Sequence, residues 1–282
     1  MNQRERLDYL VDRFKEDSVQ YRELKVRDDE DEKRRILRSL MNIRMPGELS
    51  EDVLRVQDAY LQERNRENGI VAPEEIPTVR ALGGIHPQGG RIAVWQGDIT
   101  RLGTDAIVNA ANSQMLGCFV PMHACIDNCI HTYAGVQLRE ECDRKMRGLR
   151  IRYGQDYEQP TAVPMLTDGY NLPAKKVIHI VGPIVHYGLT RELEGQLADC
   201  YRNTLDLCAK EGLRSAAFCC ISTGVFCFPN KRAAEIAVQT VTDWLDRHPD
   251  EMDRVIFNVF KDEDKEYYEQ ELYGKKRISG ND

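Results

Sequence analysis

The stretch LGCFVPMHACIDNCIH, residues 116–131, gathers three cysteines and two histidines. Cys118, His123 and Cys125 set two sulfurs and one ring nitrogen within eight residues, on a segment that Pro121 stiffens. Zinc takes thiolate and imidazole ligands, and a catalytic zinc keeps three protein ligands and one open position. Cys129 lies one helical turn past Cys125, where it either faces the core or, as a fourth ligand, closes the site and makes it structural. The alternative is a set of buried thiols and a loop histidine with no metal. His131 follows Asp127 by four residues and can share its helical face.

These residues need elements to hold them. The chain has 282 residues, enough for one large domain with an appendage. Its 39 Lys plus Arg against 46 Asp plus Glu, a net charge of -7, give no electrostatic reason to expect nucleic-acid binding. The first residues, MNQRERLDYLVDRFKED, carry charge throughout, unlike a secretory signal or a membrane anchor, so a cytoplasmic protein is expected. Nine cysteines, mostly in apolar runs, suit reduced thiols better than disulfides.

Residues 1–75 read as a helical N-terminal extension, with Leu7, Leu10, Val11 and Phe14, then Ile36, Leu37, Leu40 and Met41, at helical spacing. RDDEDEKRR reads as a solvated helix face or connection. The prolines and glycines of GIVAPEEIPTVRALGGIHPQGG mark a linker or entry loop. From there to residue 282, strand-like runs (RIAVWQGDI, DAIVNAA, KKVIHIVG, SAAFCCIS, RVIFNVF) alternate with helix-like ones (HTYAGVQLREECDRKM, RELEGQLADCYRNTLDLCAKEG, NKRAAEIAVQTVTDWLDRH). That alternation predicts a layered α/β domain with helices on both faces of a sheet and ligands bound beyond the strand ends. His179, inside a strand, and His248, near a helix end, have no companion in sequence. Cys142, Cys200, Cys208, Cys219, Cys220 and Cys227 read as apolar filler.

Four motifs in order, QGDIT, DAIVNAAN, TDGYNLPAKKVIHIVGP and ISTGVFCFP, resemble the ADP-ribose-binding macrodomains over roughly residues 91–260. Where that family usually carries several glycines, this chain has GCFVPMHACID, which resembles the zinc-containing macrodomains that act as protein-ADP-ribose hydrolases. The resemblance implies a three-layer α/β/α macrodomain with a central mixed sheet over residues 76–282. It also implies one zinc per chain on Cys118, His123 and Cys125.

The resemblance assigns Asp98 to the adenine amino group, which suits an acceptor-only carboxylate; a turn or cap role is the alternative. Ile99 is expected to offer its backbone amide. Asn112 is placed at the distal ribose, or caps its own loop. Ser222, Thr223, Gly224, Val225 and Phe226 match the diphosphate loop, where Gly224 lets backbone amides approach an anion, and Phe226 is expected against the distal ribose. Phe260 either stacks on adenine or is a core or rim phenylalanine. Cys125, Ile126 and Asp127 complete the expected ADP-ribose contacts. Asp127 either orients water or a ribose hydroxyl as a base, with Asn112 as the second expected catalytic residue, or caps a helix. His131 hydrogen-bonds near the sugar or is structural.

The expected activity is zinc-dependent removal of mono-ADP-ribose from proteins. The same pocket also suits a non-catalytic ADP-ribose reader or an O-acetyl-ADP-ribose deacetylase. The resemblance admits a lipoyl-carrier protein modified by a sirtuin-like ADP-ribosyltransferase as partner, which no residue here specifies. A monomer is expected, without nucleic-acid or membrane contacts.

Overall fold

The computed structural model describes residues 1–273; the last residues of the expected domain, 274–282, lie outside it. The charged N-terminal section folds into three helices, α1 (Gln3–Asp17), α2 (Glu30–Ile43) and α3 (Glu51–Glu67). Asn2 and Glu5 close a reciprocal capping box on α1, and Asp29 caps α2 by accepting from the Glu32 amide. The acidic run expected on a solvated face is therefore the cap and first turn of α2. Leu7, Leu10, Val11 and Phe14 meet Leu37, Leu40, Met41, Val53, Tyr60 and Leu61 in a small hydrophobic cluster, distinct from the main core.

The main core surrounds a six-stranded sheet of order β1-β6-β5-β2-β4-β3. The strands are β1 (Ile92–Gln96), β2 (Ala106–Ala111), β3 (Met165–Asp168), β4 (Lys176–Val181), β5 (Ser215–Phe218) and β6 (Arg254–Val259). All pairs are parallel except β3 with β4, so the sheet is mixed, as expected. Helices α4 (Ile126–Ala134), α5 (Val136–Tyr153), α6 (Arg191–Lys210), α7 (Asn230–Arg247) and α8 (Asp262–Tyr273) complete the α/β fold. With helices on both faces, consecutive residues such as Val255 to Val259 are buried. Among the described residues no helix is long and apolar enough to cross a membrane.

Several expectations need correction. HTYAGVQLREECDRKM is not one helix: Gly135, at φ 95° and ψ 171°, separates α4 from α5. A Cβ there would lie 2.8 Å from side-chain atoms of both Gln57 and Gln137. Edge strand β3 and helix α8 were not anticipated. β3 has four residues, and α8 buries only Asp264, Tyr268 and Leu272 in a charged sequence. Cys227 is exposed on its loop rather than filling the core.

His179 has companions after all. In the core under β2 and β4, the Asn109 amide donates to Asp127 Oδ1 at 2.7 Å and meets His179 Nδ1 at 3.0 Å, while Thr167 Oγ1 lies 3.0 Å from His179 Nε2. The amide donor at Nδ1 assigns the proton to Nε2, facing Thr167. The His131 ring sits 5.8 Å away, centroid to centroid. Burial pulls His179 down to about 3 and His131 well below its ordinary value, so both are neutral.

Two predictions follow from these core positions. Gly135→Ala should cost about 1–3 kcal/mol, because that backbone conformation is essentially confined to glycine; a urea midpoint equal to wild type would contradict it. A histidine neutral in the fold but free to protonate when unfolded contributes stability that is present above 6.5 and lost as pH falls below it. The slope is about 1.4 kcal/mol per pH unit for each such histidine. His179→Gln should flatten the fall in unfolding free energy between pH 7 and 5, and an unaltered slope would refute the assignment.

Candidate functional site

Five strands, β1, β6, β5, β2 and β4, run parallel, so their C-terminal ends share one edge of the sheet, the place where open α/β sheets bind ligands. Nearly every residue singled out from sequence lies just beyond these ends. Asp98 and Ile99 follow β1, Asn112 and the cysteine loop follow β2, Ser222 to Phe226 follow β5, and Phe260 follows β6.

The loop from Met115 to Cys125 is irregular, with Met115, Gly117 and Met122 all at positive φ. A Cβ on Gly117 would meet the His131 ring at 2.8 Å, so the chain can pass there only as glycine. Side chains take up its backbone groups: Asn112 Nδ2 donates to Gly117 O at 3.2 Å, and Arg139 Nε to Leu116 O at 2.8 Å. Asn128 Nδ2 donates to Cys118 O at 3.3 Å and to Val120 O at 3.0 Å.

So held, the loop brings Cys118, His123 and Cys125 together, with one ligand atom from each within 4.8 Å of the others. Cys118 Sγ and His123 Nδ1 are 3.5 Å apart. The two thiols are half-buried and the imidazole is exposed, so the donor set opens toward solvent on one side. Two soft sulfurs and one ring nitrogen are a donor set that suits zinc. Burial pushes the Cys125 thiol up to about 12, so metal binding there must displace a proton. Cys129 stands outside the trio, and its sulfur accepts from Arg38 at 3.6 Å. A second trio, His131, Cys142 and His179, is wholly buried, and there the ring of His179 is already engaged by Asn109 and Thr167.

The N-cap of α4 is Cys125, whose sulfur accepts from the Asn128 amide at 3.4 Å. Asp127 is thus the second residue of the helix and not its cap. It is buried, and burial raises its carboxyl to about 6 despite the Asn109 hydrogen bond. Asp127 Oδ1 lies 3.6 Å from His131 Nε2, too long for a hydrogen bond. Both His131 nitrogens lack partners among the described residues.

Around this centre, Asp98 Oδ1 accepts from the Thr100 amide at 3.0 Å and its hydroxyl at 2.7 Å, so Asp98 caps a short helical turn. Ile99 is buried and packs in the core. Asn112 holds its own loop, accepting from the Gln114 amide at 3.0 Å as well as donating to Gly117. Ser222, buried at φ 66°, starts a tight loop in which Phe228 N returns to Ser222 O at 3.0 Å. No amide from Ser222 to Phe226 donates to a backbone carbonyl among the described residues. Gly182 passes against Ser222, where a Cβ would fall 2.1 Å from the hydroxyl. Phe226 is half-buried against the core, whereas Val225 is 80% and Phe260 79% exposed at the rim. Sequence reasoning missed Asn109, Asn128, Arg139, Arg38 and Asn42. No local spacing marks them, because each acts on a segment far along the chain or through a turn not visible in sequence.

The family profile described as Macro domain matches residues 108–237. A protein of Treponema medium named protein-ADP-ribose hydrolase is 47% identical over 268 residues, covering 95% of this chain and 98% of the relative. One of the same name from Staphylococcus aureus strain MSSA476 is 44% identical over 83% of each chain. Among solved structures, the Trypanosoma brucei macrodomain in complex with ADP-ribose has a TM-score of 0.62 at 30% identity, covering 83% of this chain and 94% of its own. The Oceanobacillus iheyensis macrodomain with ADP has a TM-score of 0.57 at 35% identity, covering 66% and 93%. Five parallel strand ends gathering these loops on one edge, 47% identity to the Treponema relative over 95% of this chain and 98% of its own, and 30% identity to the Trypanosoma macrodomain over 94% of its length establish that the chain belongs to the macrodomain family.

Proposed function

We propose that the protein is a zinc-dependent hydrolase that releases ADP-ribose from mono-ADP-ribosylated proteins. The observation that carries this reading is the Cys118, His123 and Cys125 trio, set on the loop that leads into the helix bearing Asp127. The names of the Treponema and Staphylococcus relatives and the ADP-ribose in the Trypanosoma structure support it.

In this reading Asp98 uses its second carboxylate oxygen to accept from the adenine amino group, and the exposed Phe260 ring offers a face to the base. The amides from Ser222 to Phe226 and at the N-terminus of α4 take the diphosphate. That fixes the distal ribose beside Asn112 and the cysteine loop, which makes attack at the anomeric end an oriented event. Asn112 exchanges a bond within its loop for a ribose hydroxyl. When bound by Cys118, His123 and Cys125, zinc supplies Lewis-acid chemistry, either acidifying a water or polarising a ribose oxygen. Asp127, with a carboxyl raised to about 6, is mostly ionised at neutral pH yet basic enough to take a proton from water or a ribose hydroxyl. Water adds across the bond to the acceptor, giving free ADP-ribose and the unmodified side chain.

Metal content and turnover of a mono-ADP-ribosylated protein test this reading together. Protein purified without chelator should carry zinc, and stripping it should abolish hydrolysis while ADP-ribose binding by calorimetry persists. Hydrolysis that survives stripping would sink the zinc dependence. Loss of ADP-ribose binding with the metal, or intact modified protein under all conditions, would identify a reader with a structural zinc. Asp127→Asn should lower kcat by about 10²-fold or more with ADP-ribose affinity retained, and wild-type turnover in that variant would remove Asp127 as the base.

A further inference from the structure

Helix α2 of the N-terminal extension reaches the cysteine loop with two side chains. Arg38 Nη2 donates to His123 O at 2.9 Å and to Asn128 Oδ1 at 2.9 Å, and lies 3.6 Å from Cys129 Sγ. Asn42, fully buried, accepts from the Met122 amide at 3.1 Å and donates to Thr132 Oγ1 at 2.9 Å. We propose that Arg38 and Asn42 are positioning residues for the metal loop, so that the extension completes the site. The inference rests on the reading of Cys118, His123 and Cys125 as metal ligands.

The route from Arg38 to each ligand is short. Its contact with His123 is direct, through the backbone carbonyl. By taking Asn128 Oδ1, a guanidinium that can only donate forces the Asn128 amino group the other way, onto Cys118 O and Val120 O. The Asn128 amide meanwhile donates to Cys125 Sγ. One cation therefore orients the side chain that holds one ligand residue and sits beside another. Asn42 works next to it: Met122 is a non-glycine residue at φ 57°, a conformation that needs support, and Asn42 supplies it at the residue before His123.

Helix α2 is tied to the loop by a second arginine as well. No basic residue stands in its last turn. Arg139 of α5 fills that role, with Nη1 donating to Met41 O at 3.1 Å, Asn42 O at 2.9 Å and Arg44 O at 2.6 Å. The same guanidinium donates to Leu116 O at 2.8 Å and lies 4.2 Å from the Phe119 ring centroid. The start of the loop and the end of α2 thus share one arginine. Packing of α1, α2 and α3 does not require Arg38, since their apolar residues form their own cluster. Arg38 Nε is even left buried without a partner among the described residues. The geometry serves the loop rather than the helix.

The test uses full-length Arg38→Met, Arg38→Lys and Asn42→Ala, each checked for a wild-type circular dichroism spectrum and ADP-ribose affinity. Zinc affinity by chelator competition should fall about 10–100-fold in Arg38→Met and Asn42→Ala, the usual effect of losing a group that orients a ligand. Arg38→Lys should recover part of it. The thiolate-to-cobalt absorption of cobalt-loaded protein should weaken or shift, and amide exchange across residues 118–123 of metal-free protein should speed up while β2 and β4 stay protected. Unchanged zinc affinity with unchanged loop exchange would overturn the inference and leave the metal reading standing. A wild-type protein that takes up neither zinc nor cobalt would overturn both.

Discussion

A loop that must hold two thiols and an imidazole side by side cannot also hydrogen-bond like a helix or strand, so its carbonyls and amides need partners from elsewhere. Much of the molecule is arranged around that constraint. Asn112 and Asn128 supply side-chain amides from the segments on either side of the loop, Arg139 comes from α5, and Arg38 and Asn42 come from α2. Amide and guanidinium groups suit the task because they offer several donors in a fixed plane. The ligand atoms are close together because the backbone beneath them is tied.

Beneath the loop the sheet sets the larger frame. β2 is central and buried, and the polypeptide leaves it at Ala111 directly into the site. Asn109, two residues before that exit, points into the core and links Asp127 on α4 to His179 on β4. A buried polar network of this kind is costly unless each member is paired, and two groups in it, Asn109 Oδ1 and the His131 ring, are not paired among the described residues. That imbalance lies directly under the carboxylate given the role of base, where unmatched polarity is more often found than in a purely structural core.

The legible parts of this protein were those whose signal is local. Strand β2, β4 and β6 segments are rich in apolar and β-branched residues, each with one buried polar residue (Asn109, His179 and Asn258), α6 and α7 have long apolar stripes, and Cys118, His123 and Cys125 fall within eight residues. The split between α4 and α5 was missed because one glycine in an apolar pattern is compatible with a helix; the clash with Gln57 and Gln137 belongs to the assembled fold. β3 is too short to show alternation, and α8 too charged to show its stripe. The hold of Arg38 on His123 spans 85 positions, and nothing in ILRSLMN distinguishes an arginine facing solvent from one facing a loop. The role of His179 was hidden for the same reason, since its partners come from β2 and β3.

The separate apolar cluster of α1, α2 and α3 has a consequence for how long the protein keeps its chemistry. A unit with its own small core, joined to the main domain largely through polar side chains such as Asn65 to Asn171 and Asn42 to Thr132, can open without melting the sheet. While it is open, the loop loses Arg38 and Asn42, and two thiols stand unsupported beside water. The cysteine loop is then tied to the stability of three helices that lie outside the sheet, and a substitution in their apolar interior would reach the loop through Arg38 and Asn42.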